Sequence, residues 1–180
     1  MCLCLFGCSE PEEPEPVKEP TEPVLTAAPV EDESFSISKL NLDMLWCKPG
    51  TFMMGSPEDE EGFDGETQHE VTLTKGFWLG KYEVTQEQWE KVMGSNPSHF
   101  NGATLPVETV SWGDAMNFCN KLTQTEKAAG RLLEGHVYTL PTEAQWEYAC
   151  RAGTTTAYSF GDEITPKQAN FSEAKIGKTT

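Results

Sequence analysis

Basic residues are scarce in this chain. Among 180 residues, 13 Lys and Arg face 29 Asp and Glu, a formal net charge of −16 with an isoelectric point near 4.5. A surface of that sign repels phosphate backbones and acidic headgroups, so nucleic acid is excluded as a partner class. Histidine is rarer still: His69, His99 and His136 lie far apart, and none belongs to an H-x-x-x-H or H-x-H pair. There is no C-x-x-C either, so neither a His-based metal site nor a zinc site has local support. No apolar run approaches the ~20 residues that cross a bilayer. What the chain does hold is burial-capable surface. Hydrophobic residues make up 37% and aromatics 10%, with 5 Trp, too much for a wholly disordered protein. The length allows one core of ordinary size, not two independent enzyme domains.

The negative charge is concentrated in two places. Residues 9–35 carry nine acidic residues against Lys18 alone, interleaved with Pro11, Pro14, Pro16, Pro20, Pro23 and Pro29. Such a segment cannot offset its ordering entropy, and it reads as a disordered acidic tether able to reach about 80 Å at ~3.1 Å per residue. A second acidic block runs from Glu58 to Glu66, with Glu70 beyond it. Its order does not follow D-x-[DN]-x-[DN]-G, so a solvated loop is the reading adopted over a calcium loop. The rest of 36–180, outside that block and Glu70, is nearly neutral.

Residues 1–8, MCLCLFGC, form a leader of their own. Leu5-Phe6-Gly7-Cys8 resembles a bacterial lipobox, in which the cysteine is lipidated and becomes the mature N-terminus. The tether that follows is what a lipid-anchored domain needs to stand off the membrane, which places the protein at the bacterial cell envelope with the membrane as partner through Cys8. Against this, no Lys or Arg precedes the apolar run, the run is short, and Phe6 is bulky; the competing readings are an ordinary apolar start or a start codon assigned too far downstream.

From Phe35 onward, short β-like runs alternate with turns. Met44–Lys48 and Thr51–Met54 around Pro49-Gly50 predict a hairpin with a type II turn. Val71–Leu73 and Phe77–Tyr82 are the next strand candidates. Three helices share one N-terminal device: Thr85 with Gln88, Ser111 with Asp114, and Thr142 at the head of Glu143-Ala144-Gln145-Trp146. Trp89, Val92 and Met93 share one helical face, and Ala115, Phe118, Cys119 and Leu122 recur at i, i+3, i+4, i+7. Trp112, Trp146, Ala149 and Cys150 are likewise assigned inward. Short strands, few helices and long irregular loops predict an α+β domain over 36–180. Cys47, Cys119 and Cys150 are an odd number, and a Cys119–Cys150 bridge stays open as one option.

The order of phrases PGTFMMGS, HEVTLTKGFWLGKYEVTQEQW, MGSNPSHF, LPVETVSWGDAMNFCNKL, YTLPTEAQWEYACRAGT and YSFGD, then AN, resembles the formylglycine-generating enzyme (sulfatase-modifying factor) family from about Met44 to Phe171. The resemblance implies an irregular, C-type-lectin-like α+β fold. It also implies oxidation of a cysteine in a sulfatase-type protein substrate to formylglycine, using O₂ and Cu(I) held by a cysteine pair; soft thiolates suit Cu(I). In the family that pair lies near the C-terminal end of the domain, so its place is expected beyond Thr180 and no catalytic residue is assigned within this chain. Cys119 and Cys150 match positions that in some members of the family form structural disulfides with cysteines downstream, and the resemblance gives them a structural role. Asn170 and Phe171 match a segment contributing oxygen ligands to a structural Ca²⁺, here half a site. Thr139 stands where the family usually has Arg, and Gln68 where Pro is usual. Two functions follow from the resemblance: the front portion of a lipid-anchored oxidase, or a non-catalytic binding or scaffolding module on the same fold. A third branch, iron-dependent sulfur–carbon bond formation, lacks its His-rich domain here. As a front portion, the chain is expected to expose apolar faces and to aggregate; a cooperative thermal melt with no dye-accessible hydrophobic surface contradicts that.

Overall fold

The computed structural model describes residues 4–7, 28–57, 67–165 and 167–169. The acidic block at 58–66 and most of the tether lie outside the described residues, as do Cys8, Asn170 and Phe171. The elements run β1 (Cys4–Gly7), β2 (Phe35–Ile37), β3 (Leu42–Cys47), β4 (Gly50–Met54), β5 (His69–Leu73), β6 (Phe77–Gly80), α1 (Gln86–Met93), α2 (Trp112–Ala128), β7 (His136–Thr139) and α3 (Glu143–Arg151). Short strands with three helices among the described residues make the fold α+β. Two compact units divide the chain: Met1–Gly50 with Leu73–Thr142, and Thr51–Thr72 with Glu143–Thr180.

The first unit is built on a five-stranded sheet in the order β2-β3-β6-β1-β7, with every neighbouring pair antiparallel. In β3, Leu42 and Met44 are buried while Leu45 is exposed, the period-2 signature of a strand with one face on a core. Ile37, Trp78 and Tyr138 join that core from the sheet, and Trp89, Phe118, Cys119 and Leu122 from α1 and α2. The Trp89 and Phe118 rings stack at 5.2 Å, fixing α1 against α2. Two of the three predicted N-terminal devices are seen as capping boxes: Thr85 and Ser111 accept the Gln88 and Asp114 amides, and those side chains accept the cap amides in return. Gly94 closes α1 at φ +89, a left-handed conformation glycine adopts without strain.

An ion pair joins the last turn of α2 to the loop beyond it. Glu126, only 4% exposed, receives Nε and Nη2 of Arg131 at 2.8 and 2.7 Å, a fork that satisfies both carboxylate oxygens. Burial, with the Glu126 charge second, pushes the Tyr138 hydroxyl well above its ordinary value, so it stays neutral.

Two expectations change here. β3 and β4 do not form a hairpin: β3 has both edges occupied, by β2 and β6, and β4 pairs with β5 in a separate two-stranded sheet. Gly50 is not among the positive-φ glycines, so it cannot sit at the third position of a type II turn; it opens β4 instead. Composition also placed residues 29–34 in the tether. The structure ties them to the sheet, with Pro29 buried, the Trp78 indole donating to Glu33 O at 2.6 Å and the Trp46 amide donating to Ser34 Oγ at 3.0 Å.

In the second unit, Thr51 and Thr72 hydroxyls meet at 2.8 Å across the β4–β5 pair, and Phe52 packs edge-on to Tyr148 of α3 at 5.3 Å. The Glu147–Arg151 pair clamps one glycine. Gly55 N donates to Glu147 Oε1 at 2.9 Å, while Arg151 donates to Gly55 O at 2.9 Å and to Glu147 at 2.8 Å. Trp146 and Cys150, assigned inward, are exposed: α3 buries Gln145, about 100° round the helix from Trp146, so the buried stripe is rotated by one residue.

Gly76 is the sharpest steric constraint in the first unit. A Cβ there would lie 2.2 Å from Cζ2 of Trp46, whose ring packs on Trp78 at 4.5 Å. Gly76→Ala is expected to destabilise by about 2–3 kcal/mol, read from a denaturant midpoint, because the indole must leave a packed position. An unchanged midpoint contradicts that packing.

Candidate functional site

The segment joining α1 to α2, residues 94–111, is irregular yet densely hydrogen-bonded. Its anchor is Gln86, the first residue of α1 and only 2% exposed. Its Nε2 donates to Phe100 O at 2.6 Å and Pro106 O at 3.3 Å, and its Oε1 accepts from Asn96 Nδ2 at 2.9 Å and Gly102 N at 3.1 Å. One amide side chain thus uses both donors and both acceptor positions, its full capacity. The segment repays the helix: Leu105 O and Ala103 O accept the Gln86 and Glu87 amides at 2.9 and 3.1 Å, two donors that a helix N-terminus otherwise leaves unsatisfied. Val107 N donates to Val84 O at 2.9 Å and closes the return.

Glu108 organises the second half. It accepts Phe100 N at 2.9 Å and the Thr109 hydroxyl, while Ser98 Oγ accepts Glu108 N at 3.2 Å. Those bonds, the Thr109 hydroxyl first and the Phe100 amide second, hold the Glu108 carboxyl below its ordinary value. Asp114 is lowered in the same way by Ser111, through its hydroxyl and then its amide. Thr109 carries φ +59, a left-handed conformation that a β-branched residue adopts only where its surroundings impose it.

This framework leaves its large apolar side chains outside. Phe100 is 69% exposed, Leu105 43% and Trp112 72%. Trp112 was assigned to the core by sequence. It is the first residue of α2, where helical side chains lean toward the N-terminus, which carries the indole out beyond the stripe that Ala115, Phe118, Cys119 and Leu122 bury. Exposed apolar side chains are thus carried on a densely hydrogen-bonded backbone.

The three described domain cysteines lie apart from any thiolate pair. Cys119 is fully buried on α2, and burial pushes its thiol up to about 12, so it stays protonated at neutral pH. Cys47, on β3, is raised by burial too, and its thiol faces Leu45 O at 3.9 Å. Cys150 is exposed on α3, and all three are free, so the bridge left open between Cys119 and Cys150 is not formed. Cu(I) requires a thiolate pair, and these thiols do not fit it. Among the described residues no group of three or more His, Cys, Asp or Glu is arranged to hold a metal ion. Asn170 and Phe171, expected as calcium ligands, and Cys8, expected as the lipidation residue, lie outside the described residues.

Nothing in the sequence singles out Gln86, because its partners lie 10 to 20 positions away. Its replacement by Leu leaves the Gly102 amide and the Phe100 and Pro106 carbonyls unmatched. Gln86→Leu is expected to cost about 3 kcal/mol and to raise amide exchange at Gly102 ahead of global unfolding. Retained protection there refutes the anchoring role. For Glu108 the folded value lies below the ordinary 4.5, so its stabilisation is complete above that pH and is lost as pH falls through the folded value. Glu108→Gln should flatten the acid limb of a stability–pH curve below 4.5 and leave its slope above pH 6 unchanged.

The sequence and fold were compared with known proteins. The profile of the sulfatase-modifying factor enzyme 1-like domain matches residues 32–179. The chaperone protein LppX of Paenibacillus barcinonensis is 41% identical over 108 residues, covering 46% of this chain and 38% of that protein. The formylglycine-generating enzyme of Mus musculus is 30% identical over 111 residues, covering 61% of this chain and 25% of the enzyme. Among solved structures, PvdO from Pseudomonas aeruginosa superposes with a TM-score of 0.57 at 26% identity, over 79% of this chain and 58% of PvdO. The chain therefore spans well under two thirds of each of these relatives. A family profile covering most of the chain, with an α+β fold shared with PvdO, gives the assignment: the chain belongs to the sulfatase-modifying factor enzyme 1-like (formylglycine-generating enzyme) domain family.

Proposed function

We propose that this chain supplies the scaffold and recognition surface of a formylglycine-generating-type protein, held at the bacterial cell envelope through lipidated Cys8 and directed at cysteine-bearing protein segments of sulfatase type. One observation carries the reading: the α1–α2 segment is fixed by Gln86 and Glu108 while Phe100 and Trp112 stay outside. Aromatic surface held in place before binding loses little entropy when an extended segment docks. The family chemistry is oxidation of the bound cysteine with O₂ at Cu(I). Since Cys47, Cys119 and Cys150 do not fit that ion, such a step draws on groups outside the described residues, and structural Ca²⁺ at Asn170 and Phe171 belongs to the same proposal. The lipobox-like leader and acidic tether support the anchor; among the described residues no helix is long and apolar enough to cross a membrane.

A second reading, a non-catalytic binding or assembly module, is favoured by the 41% identity to a protein named as a chaperone. The two separate on turnover: conversion of the peptide cysteine, read by mass spectrometry with Cu(I) and O₂ supplied to the whole protein, excludes the second.

The recognition claim is tested with a labelled cysteine-bearing peptide of sulfatase type. Phe100→Ser and Trp112→Ser should each weaken its binding at least about ten-fold, the loss of one buried aromatic contact, with the melting temperature unchanged because both side chains are exposed. Equal affinity in both variants refutes it. For the anchor, a palmitate analogue should label the wild-type chain and not Cys8→Ser; label retained in Cys8→Ser, or absent from wild type, overturns it.

A further inference from the structure

β1 lies ahead of residues 32–179, the span the family shares, yet it occupies an interior position of the sheet. On one edge Cys4 stands opposite Leu79 and Leu5 opposite Trp78. On the other, Cys4, Leu5, Phe6 and Gly7 stand opposite Thr139, Tyr138, Val137 and His136. β6 and β7 therefore bound a slot one strand wide, with a row of backbone donors and acceptors along each side. Left empty, the slot exposes two sheet edges at once, beside Trp78 at 1% and Tyr138 at 2% exposure. Its register is also specified. Trp78 of β6 reaches His136 of β7 at 5.7 Å between ring centroids, and the residue opposite His136 is Gly7, which has no side chain to obstruct that contact. A one-residue slip puts Phe6 there.

Cleavage ahead of Cys8, which the lipid-anchor reading requires, removes Cys4–Gly7 from the protein. A mature lipidated chain and a sheet holding β1 are therefore mutually exclusive. We propose that the slot between β6 and β7 is a strand-binding site, that Cys4–Gly7 is its exchangeable occupant in the uncut chain, and that cutting ahead of Cys8 frees it for another extended apolar strand running antiparallel to both edges. Main-chain bonds to two edges supply affinity and the alternation of side chains supplies register, the physics of strand addition. The last clause rests on the Cys8 reading; the slot itself does not.

The full chain carrying Cys2→Ser and Cys8→Ser keeps Cys4 and cannot be lipidated. In that background Leu79→Cys and Thr139→Cys are each expected to form a disulfide with Cys4 under mild oxidation, at least about ten-fold over Val137→Cys, which stands opposite Phe6. A cross-link at 79 and at 139 fixes the strand between both partners; absence of either, or equal yield at 137, overturns the site. Exchange is read separately. The full chain with Leu5→Pro and Cys8→Ser, which cannot hold β1 in the ladder, should bind a fluorescent peptide of residues 1–7 saturably, whereas the Cys8→Ser chain with Leu5 intact binds at least about ten-fold more weakly. Equal binding to both overturns exchange, and if Leu5→Pro does not fold the cross-links still decide the slot. Failure of palmitate labelling with successful cross-links rejects the anchor alone; labelling without cross-links rejects the slot alone.

Discussion

One buried amide, that of Gln86, holds the displayed surface in place. Its four hydrogen bonds join the start of α1 to Asn96, Phe100, Gly102 and Pro106. A backbone stretch of that length without regular structure must satisfy its polar groups or stay in water. Gln86 satisfies them from inside and Glu108 from the partly exposed side, while Phe100 and Trp112 face outward. The capping box at Thr85 sets the helix start that places Gln86, so the surface depends on a local sequence signal one residue upstream.

Charge is unevenly distributed along the chain. Residues 9–35 and 58–66 carry nearly all the excess negative charge, and within the first unit the buried Glu126 is matched by Arg131 with good geometry. Buried thiols are kept protonated by the same low-dielectric surroundings, which makes Cys119 a packing residue. The second unit repeats the device on a smaller scale, where the Glu147–Arg151 pair grips Gly55 by its amide and its carbonyl.

Much of this was legible in the sequence where the cause is local. Thr85–Gln88 and Ser111–Asp114 announce helix starts because capping needs residue types at fixed spacing, and the Ala115, Phe118, Cys119, Leu122 stripe announces a buried face. The ordered series of motifs was enough to identify the family. What escaped was non-local. Nothing in Met44–Met54 says that β3 spends both edges on β2 and β6 and leaves β4 to another sheet. Trp112 and Trp146 look like core by composition, but their helical phase and position put them outside. Gln86 carries no mark of its role, since its partners are assembled by the return of the chain. The leader, legible as a processing signal, is also a strand, a double use that composition cannot separate.

Scaffold and display are thus different jobs of neighbouring residues, with Gln86 buried at the start of α1 and Phe100 and Trp112 exposed. The direct measurement is photo-cross-linking of the whole protein with a benzophenone side chain installed at position 112 or, as a control, at the exposed sheet residue Leu45, in the presence of a cysteine-bearing sulfatase-type peptide. The account predicts peptide adducts from position 112, competed by unlabelled peptide, and none from 45. Adducts of equal yield from both positions, or none from 112, contradict it.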